Sequence, residues 1–531
     1  MRRLYPNERL SLIIFYEDGL ETEVKLLKAI IPLLWGDTLE VLFNRLPPNT
    51  HGARESLPGN KLKAKERSKL RVEAWEPITQ QIKNRRQRTF CLILAPKFYL
   101  DPSDQKAAKR DDKVNKPSTR QALAAKAGAC VQFLRPMGKT LSTKRFKLKD
   151  FFHRLQAALK DLLSAHSGRI DNLQQKVDKC LEDIPPEARP KEILGITVVR
   201  KQRGRARGLI ENTFLVVAMR LKVDTGKCEL CCAYERGNRL EITPWKDFPD
   251  AIAFIAQLSP IKLASEVRER KTRFMEFVKQ IVSNSVEEEA QPLVIIDSSN
   301  CVQLWPWLAD TKMDANQIDL GQQYQWMQQE WQGARLIRVR QDLAPGIIDK
   351  KVRQLAETSL EDTRTIKELK KLSPNLEIPS ASSSTGLFRI TETLPTGCVA
   401  YLSVGNKMLH QYSRGQSCYA KTLINIPAEK ADGSKEKVYN KAGLVVQQVA
   451  TRSPFFGHWP TPNPLEVVVT LRQPGDNPDS LALLVESLRY SFGHYRDWTV
   501  LPAPLFFERV VRDYISEFAL EDENTEAESD L

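Results

Sequence analysis

Five cationic side chains, Arg200, Lys201, Arg203, Arg205 and Arg207, crowd one short turn (KQRGRARG) between two apolar segments. A hairpin tip dense in guanidinium suits backbone phosphates, which it grips without reading sequence. The same composition also suits a solvated loop. Cys228, Cys231 and Cys232 form a Cys-x-x-Cys-Cys cluster. Zinc needs two more ligands at a similar spacing and none follows nearby, so free thiols on a buried strand are expected. Gly138-Lys139-Thr140 has the ending of a phosphate loop, but Phe133 stands where the loop's first Gly belongs, and the motif fails. Trp305 and Trp307 have faces on which bases could stack; core packing is their expected role. Asp297 closes the apolar strand PLVIID. Alone it is a turn former or hydrogen-bond acceptor. Among other carboxylates it could hold a divalent ion that activates water.

The elements that must position these residues are those of a long globular chain. Its 531 residues carry a net charge of +14, enough length for two to four domains. The charge is uneven. From Lys61 to Asp150 there are 24 Lys and Arg against 8 Asp and Glu, a local net of +16. Cationic charge confined to one block favours a polyanionic partner, because neutralising phosphates releases counterions. The last eleven residues, EDENTEAESDL, are acidic and read as a solvated tail. No window approaches 18 uncharged apolar residues, so no membrane span is expected. The start, MRRLYPNERL, lacks an apolar signal region, and the nine scattered cysteines fit reduced thiols. A cytoplasmic location is the expectation.

The hydrophobic pattern gives LSLIIFY, ETEVKLLKAIIPLLW and TLEVLFNRL as a β-α-β unit with a parallel sheet. His51 to Arg71 reads as a basic loop, TFCLILA as a strand, STRQALAAKAG as a helix and CVQFLRP as a strand, followed by an amphipathic helix over 151–164. After IPPEARPKE come EILGITVVR, LIENTFLVVAMRLKV and KCELCCAY, an antiparallel meander. Helices are expected over 247–258, 265–284 and 352–372, strands at PLVIID and ARLIRVR, and a flexible joint at IPSASSSTG.

The stretch from Asn463 to Tyr514 runs strand, Pro-Gly-Asp turn, helix, short strand, Pro-Ala-Pro step, helix. This order resembles the end of the RNase H-like domain of Argonaute and Piwi proteins, and LPAPLFFERVVRDY is similar to the last Piwi helix. IIDSSNCVQLWPWL and LRQPGDNPDSLALLVESLR look like the prokaryotic Piwi-related pPIWI-RE family, named for a characteristic arginine and glutamate. The resemblance implies an α/β fold. A Rossmann-like MID domain would occupy residues 1–187 and an RNase H-like PIWI domain 188–520, with the disordered acidic tail at 521–531.

The resemblance also implies sites. Thr197 falls where the first metal-binding Asp of an active nuclease would stand, and Asp297 falls at the second carboxylate position. A hydroxyl brings no negative charge, so cleavage is not expected; Mg or Mn would be needed only by an active form. Glu466 and Arg489 are assigned as the two hallmark residues, with a structural ion pair between them as the alternative. Arg489 or Tyr490 lies near the last catalytic position of Argonautes, where a cation would repel a metal yet could grip a phosphate. In the MID-like part the family pattern places a basic residue on a helix and a Gln on the next strand. Arg120 and Gln132 fit, with Lys126 a nearby candidate. Where a second Lys is expected the helix ends LLSAHSG; His166 there could stand in for it, but a surface histidine is the expected reading. No PAZ domain or N-terminal lobe is recognisable, which would fit a split or shortened form.

The resulting expectation is a guide-dependent, nuclease-inactive nucleic-acid binder that holds guide and target, RNA or DNA, by their backbones. The resemblance implies defence against plasmids or phage, with a DinG-type helicase and a restriction-endonuclease-fold protein as partners. The alternatives are an active metal-dependent endonuclease and a protein-interaction scaffold.

Overall fold

The computed structural model describes residues 9–35, 39–47, 50, 64–85, 87–96, 115–138, 146–201, 213–236, 239–258, 267–315, 317–321, 330–341, 386–390, 396–404, 428–429, 435–436, 465–492 and 499–515. The helix expected over 352–372, the Ser-rich joint and the acidic tail fall outside them. The chain divides into two compact units. One comprises Met1–Arg338, Pro395–Cys398 and Val469–Leu531, and the other Val339–Leu394 and Val399–Val468.

The first unit opens with β1 (Leu10–Tyr16), α1 (Glu21–Trp35), β2 (Leu39–Arg45), α2 (Ala64–Ala74), α3 (Glu76–Lys83), β3 (Arg88–Leu94), α4 (Asn115–Ala127), β4 (Cys130–Leu134), α5 (Leu148–Leu163) and α6 (Leu173–Cys180). The four strands form a parallel sheet in the order β2-β1-β3-β4. β1 is apolar at nearly every position, Ser11 apart, because both its faces are covered. Leu10, Leu12 and Ile14 pack with Val24, Leu27, Phe151, Leu155 and Leu159. The alternate residues Ile13 and Phe15 pack with Val72, Trp75, Ile82 and Leu123 on the other side. That second layer holds α2 and α3 in helix, so the loop expected up to Arg71 ends earlier, and the described chain is helical from Ala64. Its sparse apolar residues, Val72, Ile78 and Ile82 around Trp75, are what seat it.

Next come β5 (Glu192–Lys201), β6 (Thr213–Lys222), β7 (Cys228–Arg236), β8 (Arg239–Ile242) and β9 (Lys246–Asp247). They pair antiparallel in sequence, with β9 also on β7, the expected meander. After them run α7 (Phe248–Gln257), α8 (Val267–Glu287), β10 (Leu293–Asp297), α9 (Ser298–Cys301) and β11 (Arg335–Gln341). β10 returns parallel beside β5, with Ile296 opposite Ile196.

In the second unit β12 (Gly386–Arg389) and β13 (Val399–Val404) form an antiparallel pair, Phe388 opposite Leu402. A further short pair joins β14 (Ala428–Glu429) to β15 (Lys435–Glu436). The strand β16 (Leu465–Leu471) leads back into the first unit, to α10 (Pro478–Arg489) and α11 (Ala503–Tyr514).

α11 lies across β5 so closely that a Cβ on Gly195 would stand 2.7 Å from Pro504 Cβ and 2.9 Å from its carbonyl carbon. Its far end reaches the parallel sheet. Tyr514 Oη accepts from Val131 N (2.8 Å) and donates to Val131 O (3.2 Å). The parallel sheet and the meander therefore fall in one compact unit. Among the described residues no helix is long and apolar enough to cross a membrane.

Candidate nucleic-acid interface and strand-end carboxylates

The parallel pairing of β5 and β10 brings Thr197 beside Asp297. The Thr197 hydroxyl donates to Asp297 Oδ2 over 3.4 Å. Asp297 caps α9: its Oδ1 accepts from Ser299 N (3.0 Å), and its Oδ2 accepts from Asn300 Nδ2 (2.7 Å). The carboxyl is buried. Burial pushes its pKa up against the pull of Ser299, Asn300 and Thr197, and the net direction is upward. Three donors thus converge on a desolvated carboxylate that already has a structural task.

Glu508 is a second buried carboxyl, on α11, and sequence reasoning missed it. Burial pushes it up to about 7; Arg512 opposes this and the charge of Asp297 adds to it. The signal was present. Glu508 follows Phe507 and precedes Val511 by three, so it interrupts the apolar stripe of an amphipathic helix. Among the described residues no group of three or more His, Cys, Asp or Glu is placed to hold a metal ion. Asp297, Glu508 and the uncharged Thr197 do not fit the several carboxylates a paired-ion site requires.

Of the expected phosphate-binding side chains, Arg120, Lys126 and Gln132 are each engaged by an acid. Arg120, on α4, meets Asp513 Oδ2 at 2.6 Å and lies 5.6 Å from the centroids of both Phe133 and Tyr514. Lys126 pairs with Glu76. Gln132 donates to Asp161 Oδ2, and its Oε1 accepts from Phe133 N (2.9 Å). His166 is not a surface residue: it is 2% exposed. Its Nδ1 lies 2.8 Å from Tyr514 Oη, a partner 348 positions away that no local pattern reveals. Arg200 lies on β5; Arg203, Arg205 and Arg207 lie outside the described residues.

The start of α4 carries a further feature. A βαβ connection between the parallel strands β3 and β4 puts the helix N-terminus at the carboxyl edge of the sheet. The strand order reverses between β1 and β3, the place where open α/β sheets take ligands. There Asn115 is 3% exposed and Thr119 fully buried. Among the described residues neither Asn115 amide atom, nor Thr119 Oγ1, has a hydrogen-bond partner. Lys116 and Arg120, one turn apart, both sit over the Phe133 ring, at 5.3 and 5.6 Å.

The other candidates resolve structurally. Glu466 is held by Arg340 within the second unit (Nε–Oε2 2.8 Å, Nη2–Oε1 3.0 Å). Arg489 ends α10 in the first unit, where its Nε donates to Thr499 O (3.0 Å). Burial lowers its guanidinium to about 10, and Glu486 counteracts. Each hallmark candidate thus has a partner of its own. Cys228, Cys231 and Cys232 are buried thiols, all pushed up by desolvation. Trp305 and Trp307 stack at 5.2 Å, and their indoles donate to Asp319 O and Gln317 O, which makes them core.

Comparison with known proteins agrees with this architecture. The model for the MID domain of pPIWI_RE matches residues 14–175, and that for the RNaseH domain of pPIWI_RE matches residues 193–517. No curated protein matches. Among solved structures, the C-terminal lobe of a budding yeast Argonaute is 8% identical over 96% of this chain and 79% of its own (TM-score 0.41). Drosophila Piwi is 9% identical over 95% and 48% (TM-score 0.38). Clostridium butyricum Argonaute, bound to a guide DNA and a 19-mer target DNA, is 10% identical over 97% and 49% (TM-score 0.34). The chain spans about half the length of the last two. With a Rossmann-like MID domain followed by an RNase H-like domain, and with family models matched over most of its length, the chain belongs to the pPIWI_RE family.

Proposed function

We propose that the protein is a guide-dependent nucleic-acid binder that does not itself hydrolyse its ligand. One observation carries the binding half. α4 follows β3, one of the two strands that flank the switch point of the parallel sheet, and Asn115 and Thr119 in its first turns are buried and unpartnered among the described residues. Unspent amide and hydroxyl groups at the positive end of a helix suit a terminal phosphate. The block holding it is strongly cationic, which suits the rest of a backbone. Base pairing would then supply sequence specificity. The inactive half rests on Thr197 and on the capping duty of Asp297. Action in prokaryotic defence within the cytoplasm, beside a helicase and a separate nuclease that could cut, belongs to this reading.

The test is to sequence the nucleic acid that copurifies with the full chain and to titrate labelled guide against salt. A defined length and 5′ chemistry, with affinity falling steeply as salt rises, is the expected outcome. Binding that is absent or indifferent to salt overturns the reading and favours a protein scaffold. A second reading is favoured by one observation: Glu508 and Asp297 are two neighbouring buried carboxyls. A metal-dependent nuclease would need both. Cleavage of a guide–target duplex with Mg or Mn, lost in Asp297→Ala, would establish it.

A further inference from the structure

Arg120 is positioned like a ligand-binding group and is occupied by the chain itself. Its guanidinium is fixed between the rings of Phe133 and Tyr514, and its side chain is 11% exposed. Its Nε is buried and has no hydrogen-bond partner among the described residues. Lys116 shares the Phe133 ring, so two cations crowd the first turns of α4, where the helix dipole is also positive. An anion offsets the positive charge there, and Asp513 Oδ2 provides one to Arg120 at 2.6 Å. The side chain of Asp513 is 45% exposed, so water reaches the pair from the acid's side.

We propose that Asp513 is an internal anion that fills the Arg120 seat and is exchanged for a phosphate of the bound nucleic acid. The proposal rests on the phosphate-binding reading of the α4 end given above. The exchange is local. Tyr514, the next residue, stays anchored through Val131 and His166, so a rotation of the Asp513 side chain frees Arg120 without undocking α11. A phosphate dianion matches the planar fork of Arg120 as a carboxylate does, and it brings more charge to the Lys116–Arg120 pair. Asp513 then excludes weak anions and stray phosphates, and only a ligand that also engages the rest of the site displaces it.

The experiment uses the full chain as wild type, Asp513→Asn, Asp513→Ser, and Asp513→Asn combined with Arg120→Gln. Two probes are titrated at fixed ionic strength: inorganic phosphate, read by thermal stabilisation, and a labelled single strand with 5′-phosphate or 5′-hydroxyl, read by anisotropy. Removing the internal anion should tighten phosphate and the 5′-phosphorylated strand by roughly tenfold, about 1.4 kcal/mol, equally in the Asn and Ser variants. The 5′-hydroxyl strand should gain little, and Arg120→Gln should cancel the gain. No gain in either single variant, or a gain that survives Arg120→Gln, overturns the proposal. If no strand binds any variant but phosphate still shows the Arg120-dependent gain, the internal anion stands and the nucleic-acid reading falls. If the wild type binds strands and neither probe gains, only the exchange falls.

Discussion

Glu508→Gln should change how stability depends on pH. The folded carboxyl ionises at about 7 against an ordinary value of 4.5. The pKa is raised, so between these values the folded state holds a proton that the unfolded chain has released. Unfolding free energy therefore falls as pH rises through this window. At about 1.4 kcal/mol per tenfold change in acidity, the gap corresponds to about 3 kcal/mol. Below pH ~4.5 both states carry the proton and the glutamine variant should match wild type; above pH ~7 it should be more stable by up to that amount. Urea unfolding of both proteins at matched ionic strength, stepped across the window, measures the difference. A difference that stays flat with pH would sink the claim that Glu508 is a desolvated acid repelled by Asp297. Asp297→Asn supplies the control. With one source of repulsion removed, the variant's advantage should still begin near pH ~4.5 but level off at lower pH and be smaller.

Other expectations follow from individual contacts. Gly195→Ala should destabilise by roughly 1–3 kcal/mol, read by urea unfolding, because its Cβ meets the Pro504 backbone rather than a movable side-chain tip. Arg335 forms a two-pronged buried pair with Asp476 (2.7 and 2.9 Å); Asp476→Ala should cost roughly 3–5 kcal/mol by stranding the guanidinium. Thr197→Asp would set a second carboxylate against buried Asp297, and thermal melting should fall without Mg-dependent cleavage appearing in a duplex assay. Lys126 is held by Glu76 rather than aimed at the α4 start, so Lys126→Ala should weaken guide binding far less than Arg120→Ala in an anisotropy titration.

Residues whose neighbours are close in sequence or fixed by a repeating pattern were legible beforehand. The apolar run Leu12–Phe15 of β1 required cover on both faces, and the alternation of Ile13 and Phe15 with Leu12 and Ile14 shows it. The pairing of Thr197 with Asp297 followed from two strands that a meander and two helices bring side by side. Residues defined by distant partners were not legible. His166 looked like a surface group because Tyr514 lies far down the chain. Arg120 is legible as a cation on a helix, but its pairing with Asp513 depends on where α11 ends. α2 escaped detection because its sequence is mostly charged, and only tertiary contact of Val72 beside Trp75 makes it a helix worth forming.

The bond from Val131 to Tyr514 spans 383 positions. During synthesis β4 leaves the ribosome long before its acceptor exists. Until then Val131 N, His166 and Arg120 face water or whatever anion is at hand. A polypeptide halted after the parallel sheet would thus present an open, cationic half-site. The finished one presents a site with its own gatekeeper, so the two should be told apart by how indiscriminately each captures polyphosphate.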